Sequence, residues 1–345
     1  MAKRKKNSNF IILIIVLLLL LLIAFIYIKN PTVIDKFSVL TDKQPEPTVT
    51  TPSVTPIVSI TPIVSITPIV SITPIVSEIP SSKDNNGTIK LAAFNLQVFG
   101  TTKAGKPEVM SVLSKIIRNY DVIAVQEIRD ESQTALPKLR DAVNSMGSPQ
   151  YDYVVSERLG RTTSKEQYAY IFNTQTIQPV GSPYVYPDPN DLFQREPYVS
   201  EFKAQNGNFD FVLVTIHTDP DTANQEISDL PKVVEDAKGR YKSEGDFIIM
   251  GDLNADCSYF QENGESPLRS ADYYWIINNS VDTTTKSTDC TYDRIIITNP
   301  AKTDFTGEAG VFRFDTAYNL TYDITIAVSD HYPVYASFWT DRDME

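Results

Sequence analysis

The chain has 345 residues, 42% hydrophobic and 10% aromatic, with a formal net charge of −12. That apolar content excludes a wholly disordered chain, and the acidic excess excludes a protein that holds nucleic acid by bulk positive charge. Local contact with a nucleic acid remains open.

Residues 1–9 are a basic leader carrying Lys3, Arg4, Lys5 and Lys6. Phe10 to Ile28 then runs 19 residues without a charge, and as a helix at about 1.5 Å per residue it spans roughly 28 Å, enough for a bilayer. The positive-inside bias places the N-terminus in the cytoplasm and everything after Ile28 outside, giving a single-pass cell-membrane protein with an extracellular body. The alternative is a secreted protein whose leader is cleaved, although the run exceeds the about 7–15 residues of a usual signal-peptide core and no small-x-small site follows it. Both readings export the body.

Residues 29–87 are of different material. Nine of the 22 prolines lie between Pro31 and Pro80, and Thr-Pro-Ile-Val-Ser-Ile repeats start at Thr55, Thr61 and Thr67, with a fourth copy at Thr73 ending in Glu78. Proline every sixth residue breaks helices and removes sheet donors, so the segment reads as a disordered, extended stalk reaching on the order of 100 Å. A β-solenoid is the other reading of the period, but four copies bury too little.

The body, 88–345, alternates apolar runs with amphipathic ones. Strands are predicted at 89–94, 122–125, 168–172, 209–216, 247–250, 295–298 and 334–338, and helices at 107–118, 136–146 and 224–241. The pattern is that of one α/β or α+β domain.

The chain has only two histidines, His217 and His331, each expected just after a strand. Carboxylates and amides occupy other expected strand ends: Asn95, Glu127, Asp252, Asn254 and, before a strand, Asp293. Singly, each is explained as a turn former, cap or packing residue. Their joint order points to a site, because α/β sites collect where strands end.

The succession Asn95, Gln126-Glu127, Glu166, Ile216-His217, Gly251-Asp-Leu-Asn254, Asp293-Arg294 and Ser329-Asp-His331-Tyr-Pro333 resembles the endonuclease/exonuclease/phosphatase superfamily. Arg158-Leu-Gly-Arg161 with Lys165-Glu-Gln-Tyr168, Arg195-Glu-Pro197, the stretch from Asn254 to Tyr259, and Asp282-Thr-Thr284 followed by Cys290 and Tyr292 narrow the resemblance to the secreted deoxyribonuclease I family. It covers essentially all of 88–345 and none of 1–87.

The resemblance implies a four-layered sandwich of two packed, mixed but mainly antiparallel sheets flanked by helices, and a metal-dependent endodeoxyribonuclease with little sequence specificity. It pairs Glu166 with His217 as general acid and Asp293 with His331 as general base, and which histidine takes which role stays open. It makes Glu127, Asp252, Asp330 and Asn95 an oxygen-rich site for Mg²⁺ or Mn²⁺, and gives Asn254 a phosphate oxygen to hold. Arg129 and Arg161 match positions that enter the DNA minor groove, and Arg195 one near the scissile phosphate. Ser164 stands where relatives commonly place a tyrosine. Cys257 and Cys290, the only cysteines, match a disulfide whose loop stabilises by about 3–4 kcal/mol in the chain-entropy model. Asp282, Thr284 and Thr288 match part of a structural Ca²⁺ loop, which Lys286 interrupts. DNA is the expected partner, with the membrane through the N-terminal run, and no obligate protein partner is inferred. Two other readings stay open: a phosphoesterase of the same superfamily acting on sphingomyelin or inositol phosphates, and a non-catalytic binding module on a stalk.

Overall fold

The structure, a computed structural model, describes residues 87–261 and 264–344. The leader, the apolar run and the repeats lie outside these residues. Among the described residues no helix is long and apolar enough to cross a membrane.

Among the described residues twelve strands form two six-stranded sheets. The first has the order β11 (Phe305–Val311), β12 (Val334–Trp339), β1 (Thr88–Phe99), β2 (Val122–Ile128), β4 (Gln167–Asn173), β3 (Tyr151–Val155). The second runs β5 (Ile177–Val185), β6 (Tyr198–Ala204), β7 (Asp210–His217), β8 (Phe247–Asp252), β10 (Asp293–Thr298), β9 (Tyr273–Trp275). Each sheet has one parallel pair at its centre, β1 with β2 and β7 with β8, and every other pairing is antiparallel.

The central strands are apolar on both faces because both are covered, as alternation along β1 shows. Leu91 and Ala93 turn into the core between the sheets, against Phe202, Phe211, Leu213 and Met250. Ala92 and Phe94 turn outward, under the helices Pro107–Ile117 (α2) and Ala135–Asn144 (α3) through Val109, Leu113, Ile116 and Leu139. The outer face of the second sheet packs Val212, Val214 and Ile249 against Ile227, Leu230 and Val234 of Ala223–Arg240 (α4). These are the four expected layers. The remaining helices are short: Thr101–Ala104 (α1), Phe314–Ala317 (α5) and Tyr322–Val328 (α6).

One expectation is corrected. His331 does not follow a strand; the apolar residues before it belong to helix α6, started by Thr321, whose side chain accepts from Ile324 N. Ile324 and Ala327 pack onto the α2 side of the molecule, so an i, i+3 stripe decides the element where a short apolar run was read as extended. The strands β3, β5, β6, β9 and β11 were not anticipated.

Candidate active site

Parallel pairs deliver both C-terminal ends to one side of a sheet. In β1 and β2, Asn95 lies opposite Gln126, and Glu127 follows; in β7 and β8, His217 lies opposite Asp252, with Asp293 of β10 across from Asp252 on its other side. The sheets meet here. Asn95 Nδ2 reaches Asp252 Oδ2 at 2.9 Å and Glu127 Oε1 at 3.1 Å, and Gln126 Nε2 reaches Thr215 Oγ1 at 2.9 Å.

Close approach sets the local sequence. Gly251 has φ +145°, and a Cβ there would lie 2.1 Å from Ile216 O, so only glycine lets β8 run this close to β7 before presenting Asp252. Glu127, Asn254, Gln97 and Val98 all have positive φ, an unfavourable backbone for side-chain-bearing residues that clusters here at the strand ends. The kink at Gln97 and Val98 is held by hydrogen bonds from Gln97 N to Asn95 Oδ1 (2.8 Å) and from Val98 N to Glu127 Oε2 (2.9 Å).

Two imidazoles face one carboxylate. His217 Nδ1 is 2.9 Å from Glu166 Oε1 and His331 Nδ1 is 2.8 Å from Asp293 Oδ2. Each Nε2 lies 3.5 Å from Asp252 Oδ2. Burial disfavours the charge on both rings, but carboxylates outweigh it: Glu166 and Asp252 raise the pKa of His217, and Asp293 and Asp252 raise that of His331 to about 10. Asp252 responds in kind. Burial works to raise its pKa, yet the two imidazoles hold it below the usual carboxylate range.

The arginines fall into distinct places. Arg195 is buried, donating to His217 O and Thr218 O, both at 2.9 Å, with Nε 3.2 Å from Glu166 Oε1. It therefore sits behind the His217 pair and braces it. Arg129 Nη2 bridges Glu127 Oε2 (3.1 Å) and Glu166 Oε2 (3.5 Å), and its Nη1 reaches Ser164 Oγ at 3.2 Å. Arg161 is on the surface, paired with Asp191 at 2.7 Å. Asn254 is buried, its Nδ2 on Thr218 O at 3.1 Å and its N–H on Asp252 Oδ1 at 3.1 Å.

Asp330 and His331 arrive on a segment paired with the 282–290 loop. Thr285 N donates to Asp330 O (2.9 Å), Tyr332 N to Thr283 O (2.7 Å), and Thr284 and His331 form a β-bridge. Cys257 and Cys290 are joined in a disulfide that ties this loop to the turn after β8. Four participants escaped the sequence reading. Tyr168 Oη accepts from His217 N at 3.1 Å. Thr283 and Thr285 carry the pairing just described. Lys103 sits beneath the site, donating to Leu96 O (2.9 Å) and Val328 O (3.1 Å), with burial pulling its pKa down to about 8 against the pull of Asp330 and Glu127. Nothing in its neighbours, a glycine and two threonines, marked it.

The donors suit a hard divalent cation. Glu127, Asp252 and Asp330 offer carboxylate oxygens, and Asp252, Asp293 and His331 bring ligand atoms within 4.8 Å of one another.

A profile of the Endonuclease/Exonuclease/phosphatase family matches residues 92–331. The chain belongs to that family. It is 38% identical over 258 residues to deoxyribonuclease-1 of Bos taurus, covering 72% of this chain and 91% of the relative, and 38% identical over 260 residues to deoxyribonuclease gamma of Rattus norvegicus, covering 72% and 83%. Solved structures give the same fold at low identity. An endonuclease/exonuclease/phosphatase from Bacteroides vulgatus superposes with a TM-score of 0.53 at 14% identity over 74% of this chain and 99% of that one. A mannosyl-6-phosphatase from Bacteroides thetaiotaomicron gives 0.51 at 15% identity over 72% and 99%.

Proposed function

We propose that the body is a divalent-cation-dependent endodeoxyribonuclease with little sequence specificity. One observation carries the reading: two carboxylate-held imidazoles converge on Asp252 in a chain 38% identical to deoxyribonucleases over 258 residues. Hydrolysis requires a proton taken from water as its oxygen attacks phosphorus, and a proton given to the oxygen that leaves. His217 is the acid. Arg195 beside Glu166 works against its positive charge, which favours release of its proton. His331, held by Asp293 at 2.8 Å, serves as base in its neutral form. Glu166 and Asp293 fix the rings so that each Nε2 faces the substrate side.

Glu127, Asp330, Asp252 and Asn95 would hold Mg²⁺ or Mn²⁺, which when bound would supply positive charge to the phosphoryl oxygens. Asn254 holds a non-bridging phosphate oxygen. Arg129 and Arg161 contact the minor groove, where a guanidinium reads width rather than base identity. Arg195 acts near the scissile phosphate through His217, whose carbonyl it holds.

Export fits this reading. Residues 10–28 would anchor the chain in the cell membrane, with 29–87 linking them to the body of 88–345; cleavage of the leader would release the same body. Carbonate extraction of membranes distinguishes them, since an anchored chain stays in the pellet.

Supercoiled plasmid tests the activity. The purified protein nicks it with Mg²⁺ or Mn²⁺ and not with chelator, and the His217→Ala protein does not nick it. Absence of nicking under every condition, with hydrolysis of sphingomyelin or inositol phosphates instead, would overturn the DNA assignment. A stalked module without catalysis would hydrolyse none of them.

A further inference from the structure

The 282–290 loop pairs with the segment that carries Asp330 and His331, and the oxygens of its three residues that resemble Ca²⁺ ligands are engaged within the protein. Ca²⁺ takes about 6–8 oxygen ligands, several of them usually charged. This loop offers one carboxylate aimed inward, Asp282, and its oxygens are engaged. Oδ1 accepts from Thr284 N (2.9 Å), Thr284 Oγ1 (2.8 Å) and Cys290 N (3.4 Å), while Oδ2 faces Arg313 Nη2 at 3.6 Å. The same Nη2 donates to Asp282 O at 3.2 Å. Thr284 Oγ1 and Thr288 are also turned on each other, with Oγ1 2.6 Å from Thr288 O and 3.1 Å from its hydroxyl.

The chain supplies positive charge of its own. Lys286 leaves the loop and places Nζ 2.8 Å from Asp330 Oδ2, on the segment that Thr283 and Thr285 already hold by backbone pairing. Thr285 Oγ1 adds a bond to Ser329 O at 2.9 Å. Arg313, which precedes α5, stacks over Tyr332 at 4.6 Å to the ring centroid, so it joins Asp282 to the residue after His331. Two cations thus clamp one loop, Arg313 at its start and Lys286 across to Asp330.

We propose that Lys286 and Arg313 are built-in counter-cations that order the 282–290 loop and the His331 segment paired with it, so that their structure does not depend on bound Ca²⁺. The proposal uses the proposed active site only in taking Asp330 and His331 as its working residues.

Thermal melting and limited proteolysis of the full chain in detergent test it without any activity readout. Each protein is measured in EGTA and in millimolar Ca²⁺. The expected result is a Ca²⁺-induced shift that is the same, whether zero or finite, in wild type and Asp282→Asn, because no Ca²⁺ is held at Asp282. A shift present in wild type and lost in Asp282→Asn places Ca²⁺ in the loop and overturns the proposal. In EGTA, Lys286→Met is expected to lower the melting temperature by about 2–4 °C and to speed cleavage within 282–290, with Lys286→Arg restoring both. Unchanged melting and cleavage in Lys286→Met would show that the ammonium orders nothing. Because these readouts ignore DNA, they separate failure of this inference from failure of the nuclease assignment.

Discussion

The two histidine–carboxylate pairs occupy matching positions on either side of Asp252, yet they are built differently. His217 ends β7, and its carboxylate, Glu166, lies against two arginines, Arg195 at 3.2 Å and Arg129 at 3.5 Å. His331 stands in a loop segment, and its carboxylate, Asp293, faces imidazole and threonine, with no arginine paired to it among the described residues. The consequence is visible in the carboxylates: Glu166 is held below its usual pKa, burial being outweighed by His217 and the arginines, whereas burial raises that of Asp293. A pseudo-symmetric scaffold thus sets the two imidazoles in unlike surroundings, one on a carboxylate that lies against two arginines and one on a carboxylate raised by burial, and unlike surroundings are what can separate an acid from a base.

Removing either ring gives the largest expected effect. His217→Ala and His331→Ala each lower kcat about 10²–10⁴-fold while circular dichroism stays native; full activity in either variant removes that ring from the chemistry. Reduction of Cys257–Cys290 attacks the His331 side alone, because the disulfide holds the 282–290 loop. A loss of about 3–4 kcal/mol is expected in denaturant melts, with cleavage in that loop appearing before cleavage near His217. Arg195→Met breaks the other side. Leaving Glu166 buried without its guanidinium costs about 3 kcal/mol, and kcat falls by about tenfold with an upward shift of the His217 titration followed by NMR.

The pH dependence of stability sharpens the comparison further. His331 has a folded pKa of about 10 against 6.5 unfolded, so its stabilisation is complete below pH 6.5 and is lost as pH rises through about 10. With cations chelated, the wild-type melting temperature should fall across that window more steeply than that of His331→Gln. Parallel curves would mean that Asp293 does not hold an imidazolium.

Much of this was legible in the chain. Central strands are apolar runs leading to Asn95, Glu127, His217 and Asp252, and the structure brings those residues together at the proposed site. Of the five strands that escaped, β3, β5, β9 and β11 are the four sheet edges, and β6 lies beside the edge strand β5. Edge strands are half covered and accept residues a central strand refuses, as Pro179, Gly181 and Pro183 do within β5. The position of Arg195 behind His217 was equally hidden, because no local pattern separates a surface arginine from one whose donors are consumed by backbone carbonyls.

The most direct test of the asymmetry uses a DNA oligonucleotide with sulfur in place of the oxygen that leaves, since a thiolate departs without a proton. If His217 is the acid, the His217→Ala protein cleaves this substrate nearly as fast as wild type, while His331→Ala remains slow. Rescue of His331→Ala instead, or equal loss in both, would contradict the assignment of the two rings.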